Sequence, residues 1–145
     1  NESKTQMIWL YYLIQFTWGL PLTALGALAY LILVEICGYH HYQYRNMVCI
    51  VIPWNFGGVN LGMFAIHGED NYSVVSHEYG HSIQNLWLGW LMPFIVAIPS
   101  AIRYWYREYL YYINKPPKTK YDDIWFEGQA TKLGKMAQVE TWSWL

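Results

Sequence analysis

The chain has 145 residues, enough for one domain built around one core. It is 54% hydrophobic and 19% aromatic but only 13% charged, where a soluble domain is usually about 25% charged. The net charge of -1, with no basic stripe, excludes nucleic acid as a partner, and the shortage of charge points to a membrane environment. Mean hydropathy is only +0.06, because nine Trp and fourteen Tyr score poorly on such scales while favouring the membrane interface.

The chain opens on Asn rather than Met, as a trimmed or fragmentary start would. An apolar run then extends from Met7 to Ile36, with no charged residue before Glu35. As a helix it would reach about 45 Å, beyond the ~30 Å of a hydrocarbon core. Gly19-Leu20-Pro21 predicts a kink, since proline removes a backbone donor and clashes with the preceding turn. Residues 7–36 therefore read as one tilted, kinked membrane span or as two short limbs meeting at Pro21. A cleaved signal peptide fits less well, because the run is too long and no cleavage site follows.

Residues 38–66 are rich in β-branched and aromatic residues and predict a small antiparallel sheet. Arg45-Asn46 and Asn55-Phe56-Gly57-Gly58 are its predicted turns. A polar loop from His67 to Asn71 leads into a helix over 72–88, with Asn71 or Ser73 as the predicted N-cap. The next membrane or interfacial segment covers 86–113. Its apolar part, Leu86 to Ile102, would reach only about 25 Å as a helix, and Pro93 and Pro99 interrupt it. A re-entrant or interfacial helical hairpin is expected there, returning the chain to one face. Asn114 to Lys120 reads as a loop, and a last helix is predicted over 122–138. The expected fold class is thus an α+β membrane protein. Cys37 and Cys49 read as reduced, buried thiols.

The helix over 72–88 carries His77-Glu78-Tyr79-Gly80-His81. Residues i and i+4 share a helix face, so both imidazoles can reach one ion. Glu78, one position on, reaches a water at that ion rather than the ion itself, which is the physical content of the HExxH pattern. A catalytic zinc takes three protein ligands and keeps one position for water, whose pKa falls to near 7. Glu78 is then the general base. Gly80 costs up to ~1 kcal/mol relative to Ala; it is either tolerated or lets another element approach the metal.

The third ligand is expected to be Glu127, early in the last helix among apolar neighbours, giving a His-His-Glu site. Asp122 and Asp123 compete, although capping the last helix suits them better. His67, His40 and His41 are further alternatives. The last two are adjacent and would point to opposite faces of a strand. A strand within residues 47–66 is expected to lie beside the metal helix and to pair with an extended peptide. Gly57, Gly58 and Gly62 either allow that close approach or simply shape turns. His67 or a Tyr is the candidate donor to the oxyanion.

His77-Glu78-x-x-His81 followed by Glu127-x-x-Ala130 resembles the gluzincin metallopeptidases with an E-x-x-A-D helix, though Thr131 stands where that pattern has Asp. The resemblance implies His77, His81 and Glu127 as ligands and Glu78 as base. More widely, Trp18-Gly19-Leu20-Pro21, HEYGHSIQN and WFEGQATKLG are similar to a family of small bacterial membrane proteins with an HEYGH motif. That likeness implies an integral protein of the bacterial inner membrane and a metallopeptidase-like activity, but it brings no substrate. The expected function is zinc-dependent hydrolysis of a peptide or membrane-protein substrate at or in the lipid bilayer. The alternatives are hydrolysis of a lipid or other amide, and a non-catalytic metal-binding scaffold. Seven of the nine Lys and Arg residues fall from Arg103 onward, which predicts a cytoplasmic catalytic face.

Overall fold

The first apolar run is folded into two limbs. Helix α1 (Glu2–Gln15) stops at residue 15, and α2 (Leu20–Tyr30) leaves at 91° to it. Pro21 sits in the first turn of α2, where its missing N–H costs no helical bond. A wide π turn, Leu31–Ile36, closes the segment. Of the two readings offered by the sequence, the pair of limbs is the observed one. In this computed structural model, which describes the backbone of residues 2–138 and the side chains of residues 9–136, no single helix is long and apolar enough to cross a membrane.

The four strands are β1 (His40–Tyr44), β2 (Met47–Ile52), β3 (Val59–Leu61) and β4 (Phe64–Gly68). Arg45, with φ 52, makes the predicted turn between β1 and β2. The expectation of a purely antiparallel sheet is corrected. The order is β1-β2-β4-β3, and β2 pairs with β4 in parallel, Val48 opposite Phe64 and Ile52 opposite Gly68. After β2 the chain arcs through residues 53–58 and returns one position further out, leaving the place beside β2 for β4. Gly68 N and Asn71 Nδ2 both donate to Phe56 O, at 3.0 and 2.6 Å, and hold that arc. Asn71 is thereby occupied and does not cap the helix. The predicted N-cap is replaced by a 3-10 turn, Tyr72–Val74, that feeds α3 (Val75–Leu88) without a side-chain cap.

Helix α3 ends at Gly89, whose φ of 53 suits the helix stop. A short turn, Gly89–Leu91, and a π turn, Pro93–Ala97, lead into α4 (Ile98–Tyr112), and the direction changes by 115°. The expected hairpin within Leu86–Ile102 is therefore a single corner between the metal helix and α4. Pro99 does not break the second limb, because it falls in the first turn of α4. A 3-10 turn, Tyr121–Asp123, precedes α5 (Trp125–Gln138). Asp123 accepts a 2.8 Å bond from Lys120 N and so caps this 3-10 turn rather than the last helix, where it was expected to act.

The main core lies between sheet and helices, with Met47, Cys49 and Phe64 packed with Tyr79 and Ile83 of α3 and Leu133 of α5. A second cluster joins Leu22, Met92, Val96 and Phe126. Both cysteines are free. Cys49 is buried, but Cys37, expected to be buried, is exposed, since it follows the π turn before the sheet begins. A buried polar network fastens the α1–α2 corner to the back of α3. Tyr11 OH pairs with Ser82 Oγ, Gln15 Nε2 donates to Ser82 O at 3.1 Å, and Asn85 Nδ2 donates to Gln15 Oε1 at 2.6 Å and Gly19 O at 3.2 Å. Buried bonds of this kind fix one arrangement of their elements, although Asn85 Oδ1 has no partner among the described residues.

Candidate metal centre

Helices α3 and α5 touch through their backbones. A Cβ on Gly80 would fall 1.8 Å from Ala130 O, and one on Gly134 would fall 2.0 Å from Ser76 O. Of the two readings of Gly80, the observed one is close approach, by α5. The contact carries Glu127 to the imidazoles of α3. Glu127 Oε2 lies 2.8 Å from His77 Nε2 and 3.3 Å from His81 Nε2. The three ligand atoms lie within 4.8 Å of one another, so His77, His81 and Glu127 form a group close enough to bind a metal ion.

Each side chain is oriented from behind. His77 Nδ1 is 2.7 Å from Thr131 Oγ1, and His81 Nδ1 is 2.7 Å from Gln84 Oε1. Gln84 Nε2 donates to Phe126 O at 2.8 Å and to Gln129 Oε1 at 3.0 Å, tying the support of His81 to α5. Ser100 of α4 donates to Glu127 Oε1. Anchoring one ring nitrogen leaves the other for an ion, the usual arrangement around a ligating histidine. A tetrahedral ion with bonds of about 2.0–2.2 Å sets its ligand atoms about 3.3–3.6 Å apart. The donor atoms, 2.8 Å to 4.8 Å apart, match such an ion after shifts of up to about 1 Å.

Glu78 is buried beside this group. Its Oε2 has no hydrogen-bond partner among the described residues. Burial raises its carboxyl above the usual carboxylate range, opposed by His81 and His77. Burial also opposes the ionisation of Glu127, but hydrogen bonds from His77 and His81 outweigh it and hold that carboxyl well below its usual range. For His81, burial favours the neutral ring, yet the bond to Glu127 and the charges of Glu78 and Glu127 raise its pKa above the ordinary value. Both shifts favour a charged pair of His81 and Glu127.

Two cavities meet at Glu78. One, of about 320 Å³, runs from His81 between Leu25, Met92, Val96 and Ala101, and is predominantly apolar. The other, of about 310 Å³, opens past His77 to Arg107, Glu108 and Tyr111. Gly58, Glu78, Tyr104 and Tyr121 line both. Gly58 stands close to the carboxyl, since a Cβ there would be 3.3 Å from Glu78 Oε1. Strand β3 is the sheet edge that lines the apolar cavity beside α3. Gly57 N donates to Tyr104 OH at 3.2 Å. Arg103 Nη2 donates to Lys120 O at 3.0 Å and Arg107 Nη2 to Thr119 O at 3.0 Å, and both guanidiniums lie over the Tyr121 ring. These contacts lock the loop before α5 onto α4.

The remaining candidates lie elsewhere. His67 is buried in β4, bonded to Tyr42 OH at 2.8 Å and to Gly68 O at 2.7 Å, away from both cavities. It is neither part of the metal group nor placed to meet an oxyanion. His40 and His41 are on β1, at the far edge of the sheet from β3, and Asp122 is exposed. Gln84, Ser100, Tyr104 and Tyr121 were not singled out by the sequence. Gln84 had a readable signal, standing three residues after His81 and so on the same helix face; Ser100 had none, because it arrives only through the corner. The chain matches no protein-family model, no curated protein and no solved structure.

Proposed function

We propose that the protein is a zinc-dependent hydrolase that cleaves peptide bonds at a membrane surface. The observation that carries this reading is the convergence of His77, His81 and Glu127 within 4.8 Å, next to a buried carboxyl, Glu78, at the junction of two cavities. A purely structural zinc site takes four protein ligands and needs no base. When bound, zinc supplies Lewis-acid polarisation of the scissile carbonyl and a lower pKa for water.

The chain's own groups do the rest. Glu78 accepts the proton of the attacking water as its oxygen bonds to the carbonyl carbon. When the carbon–nitrogen bond breaks, the same carboxyl returns that proton to the leaving amine. Tyr104 accepts from Gly57 N, which leaves its own hydroxyl proton for the developing oxyanion, with Tyr121 facing the same space. An extended peptide lies along Gly58 and Val59, which line the cavity beside Glu78.

The membrane part of the proposal rests on uncovered apolar surface. Helix α4 buries none of its side chains, and Ile98, Ile102, Trp105, Tyr109 and Tyr112 form one exposed stripe along it. Trp9, Leu13 and Phe16 on α1 and Leu25 and Leu28 on α2 are exposed as well. Patches of this extent mark contact with lipid or protein. The two bent helix pairs are half-inserted wedges, and the cluster of Lys and Arg from Arg103 onward favours the cytoplasmic face of a bacterial inner membrane.

The test is zinc per chain together with hydrolysis of a casein-like substrate in detergent. Glu78→Gln is expected to keep zinc and lose about 10²–10⁴-fold in rate, and Glu127→Ala to lose zinc. Full activity in Glu78→Gln removes the base and with it the mechanism. For the membrane, Ile102→Glu is expected to weaken partitioning into phosphatidylcholine vesicles by about 2 kcal/mol, near thirtyfold; unchanged flotation would reject the α4 stripe as the lipid contact.

A further inference from the structure

The two cavities flank the metal group, His81 lining the first, His77 the second, and Glu78 both. Glu127 Oε2 bonds to both imidazoles, so a scissile bond held at this group has a cavity on either side. Both cavities are predominantly apolar. Leu22, Leu25, Met92, Val96 and Ala101 wall the first, and Val74 with the rings of Tyr104, Tyr111 and Tyr121 walls the second. The charged groups bordering the second are engaged or at its rim. Arg107 Nη2 donates to Thr119 O at 3.0 Å with its guanidinium over the Tyr121 ring, and Glu108 is exposed. At about 320 and 310 Å³, each cavity has room for a bulky side chain, since pockets for small ligands begin at about 300 Å³. Leu25 and Trp105 of the first and Tyr111 of the second are also exposed, so both mouths open on the uncovered apolar surface of α2 and α4.

From this we infer the substrate class: a peptide with bulky apolar side chains on both sides of the scissile bond. The inference rests on the hydrolase reading above and adds which residues are selected. Side chains do the selecting, because the backbone beside the cleft offers little to pair with. Gly57 N is taken by Tyr104 OH at 3.2 Å, and Leu61 O packs against α2, where a Cβ on Gly26 would fall 2.5 Å from it. A bulky apolar residue on either side gains by leaving water. A small polar one leaves its cavity unfilled, and an acidic one exchanges water for apolar walls at high cost. An apolar segment lying on the exposed faces of α2 and α4 enters without crossing water.

The experiment uses the full chain in detergent and four peptides that differ only at two central residues, Phe-Leu, Phe-Ser, Ser-Leu and Ser-Ser, in one serine- and glutamine-rich frame, with a dodecanoyl amide beside them. Binding of fluorescent versions to the metal-free protein is measured alongside kcat/KM and cut position for the zinc-loaded protein. Phe-Leu is expected to bind and react about tenfold better than either peptide with one apolar residue, and each of those about tenfold better than Ser-Ser, with the cut between the central pair. Ala101→Trp narrows the first cavity and Tyr111→Ala removes a ring from the wall of the second. Each is expected to cancel the preference at a different central position with zinc per chain unchanged. A preference at one position only, both variants acting on the same position, equal use of Ser-Ser, or preference for the dodecanoyl amide overturns the inference and leaves the metal hydrolase standing. Selective binding of Phe-Leu without any hydrolysis supports the cleft assignment and removes the hydrolase reading. Failure to bind or cut any peptide overturns both.

Discussion

Asn60 reaches from the edge strand to the metal helix, its Nδ2 donating to the backbone oxygen of Glu78 at 3.1 Å. The same amide donates to Gly62 O at 3.0 Å, and its Oδ1 accepts from Gly62 N at 3.0 Å. One buried side chain therefore sets the β3–β4 turn and the distance from β3 to Glu78. Asn60→Ala removes all three bonds and is expected to cost about 2–3 kcal/mol, seen in thermal unfolding. It should also raise KM for extended peptides with little change in zinc content. An unchanged KM would separate β3 from substrate binding.

Gly80→Ala tests the backbone contact that assembles the centre. The methyl would meet the carbonyl of Ala130, a rigid neighbour that has nowhere to move. Separating α3 from α5 is expected to cost about 3 kcal/mol, roughly 10 °C in Tm, and to lower zinc per chain. A variant with normal Tm and full zinc would show that Glu127 does not depend on this contact.

Thr131→Val removes the partner of His77 Nδ1 while keeping the shape of the side chain. Zinc affinity, measured by competition with a chromophoric chelator, is expected to fall about 10–100-fold. Thr131→Ser should keep most of it. Equal affinity in wild type and Val variant would make the hydroxyl irrelevant to the histidine.

The metal-free protein has a pH signature. The Glu127 carboxyl is held below its unfolded value near 4.3, so its contribution to stability is present above that pH and is lost as the pH falls through the folded value. The His81 pKa is raised, so its contribution is complete below about 6.5 and is lost as the pH rises through the folded value. Glu78, raised by burial, likewise loses stability as the pH rises above its unfolded value. Tm of the metal-free protein is therefore expected to fall as the pH rises above about 6.5. With zinc the trend reverses, because ligation needs neutral imidazoles. A metal-free Tm that rises above that pH would contradict the charged pair of His81 and Glu127.

Much of the centre was legible because it depends on local periodicity. His77 and His81 are one helical turn apart on the same helix, and Glu127 and Thr131 stand in the same i, i+4 relation on α5. The turn at Arg45 follows from a single position with a strong backbone demand, while the bend predicted at Pro21 falls just before it, over residues 16–19. What could not be read depends on where distant segments return. The parallel pairing of β2 and β4 follows from the arc over residues 53–58, and β3 is only three residues long. Asn71 has the chemistry of an N-cap, yet Phe56 O, from the same arc, is the better-placed partner. Ser100 meets Glu127 only because the chain turns by 115° after α3.

The ligands are unevenly distributed along the chain, the two imidazoles in α3 and the carboxylate in α5, some fifty positions later. A chain whose α5 is not docked on α3 therefore brings together only two of the three candidate ligands, and His77 lacks the hydroxyl of Thr131. On the proposed reading, cleavage then waits for the last helix to seat against Gly80, which keeps an unfinished chain from cutting itself or its neighbours.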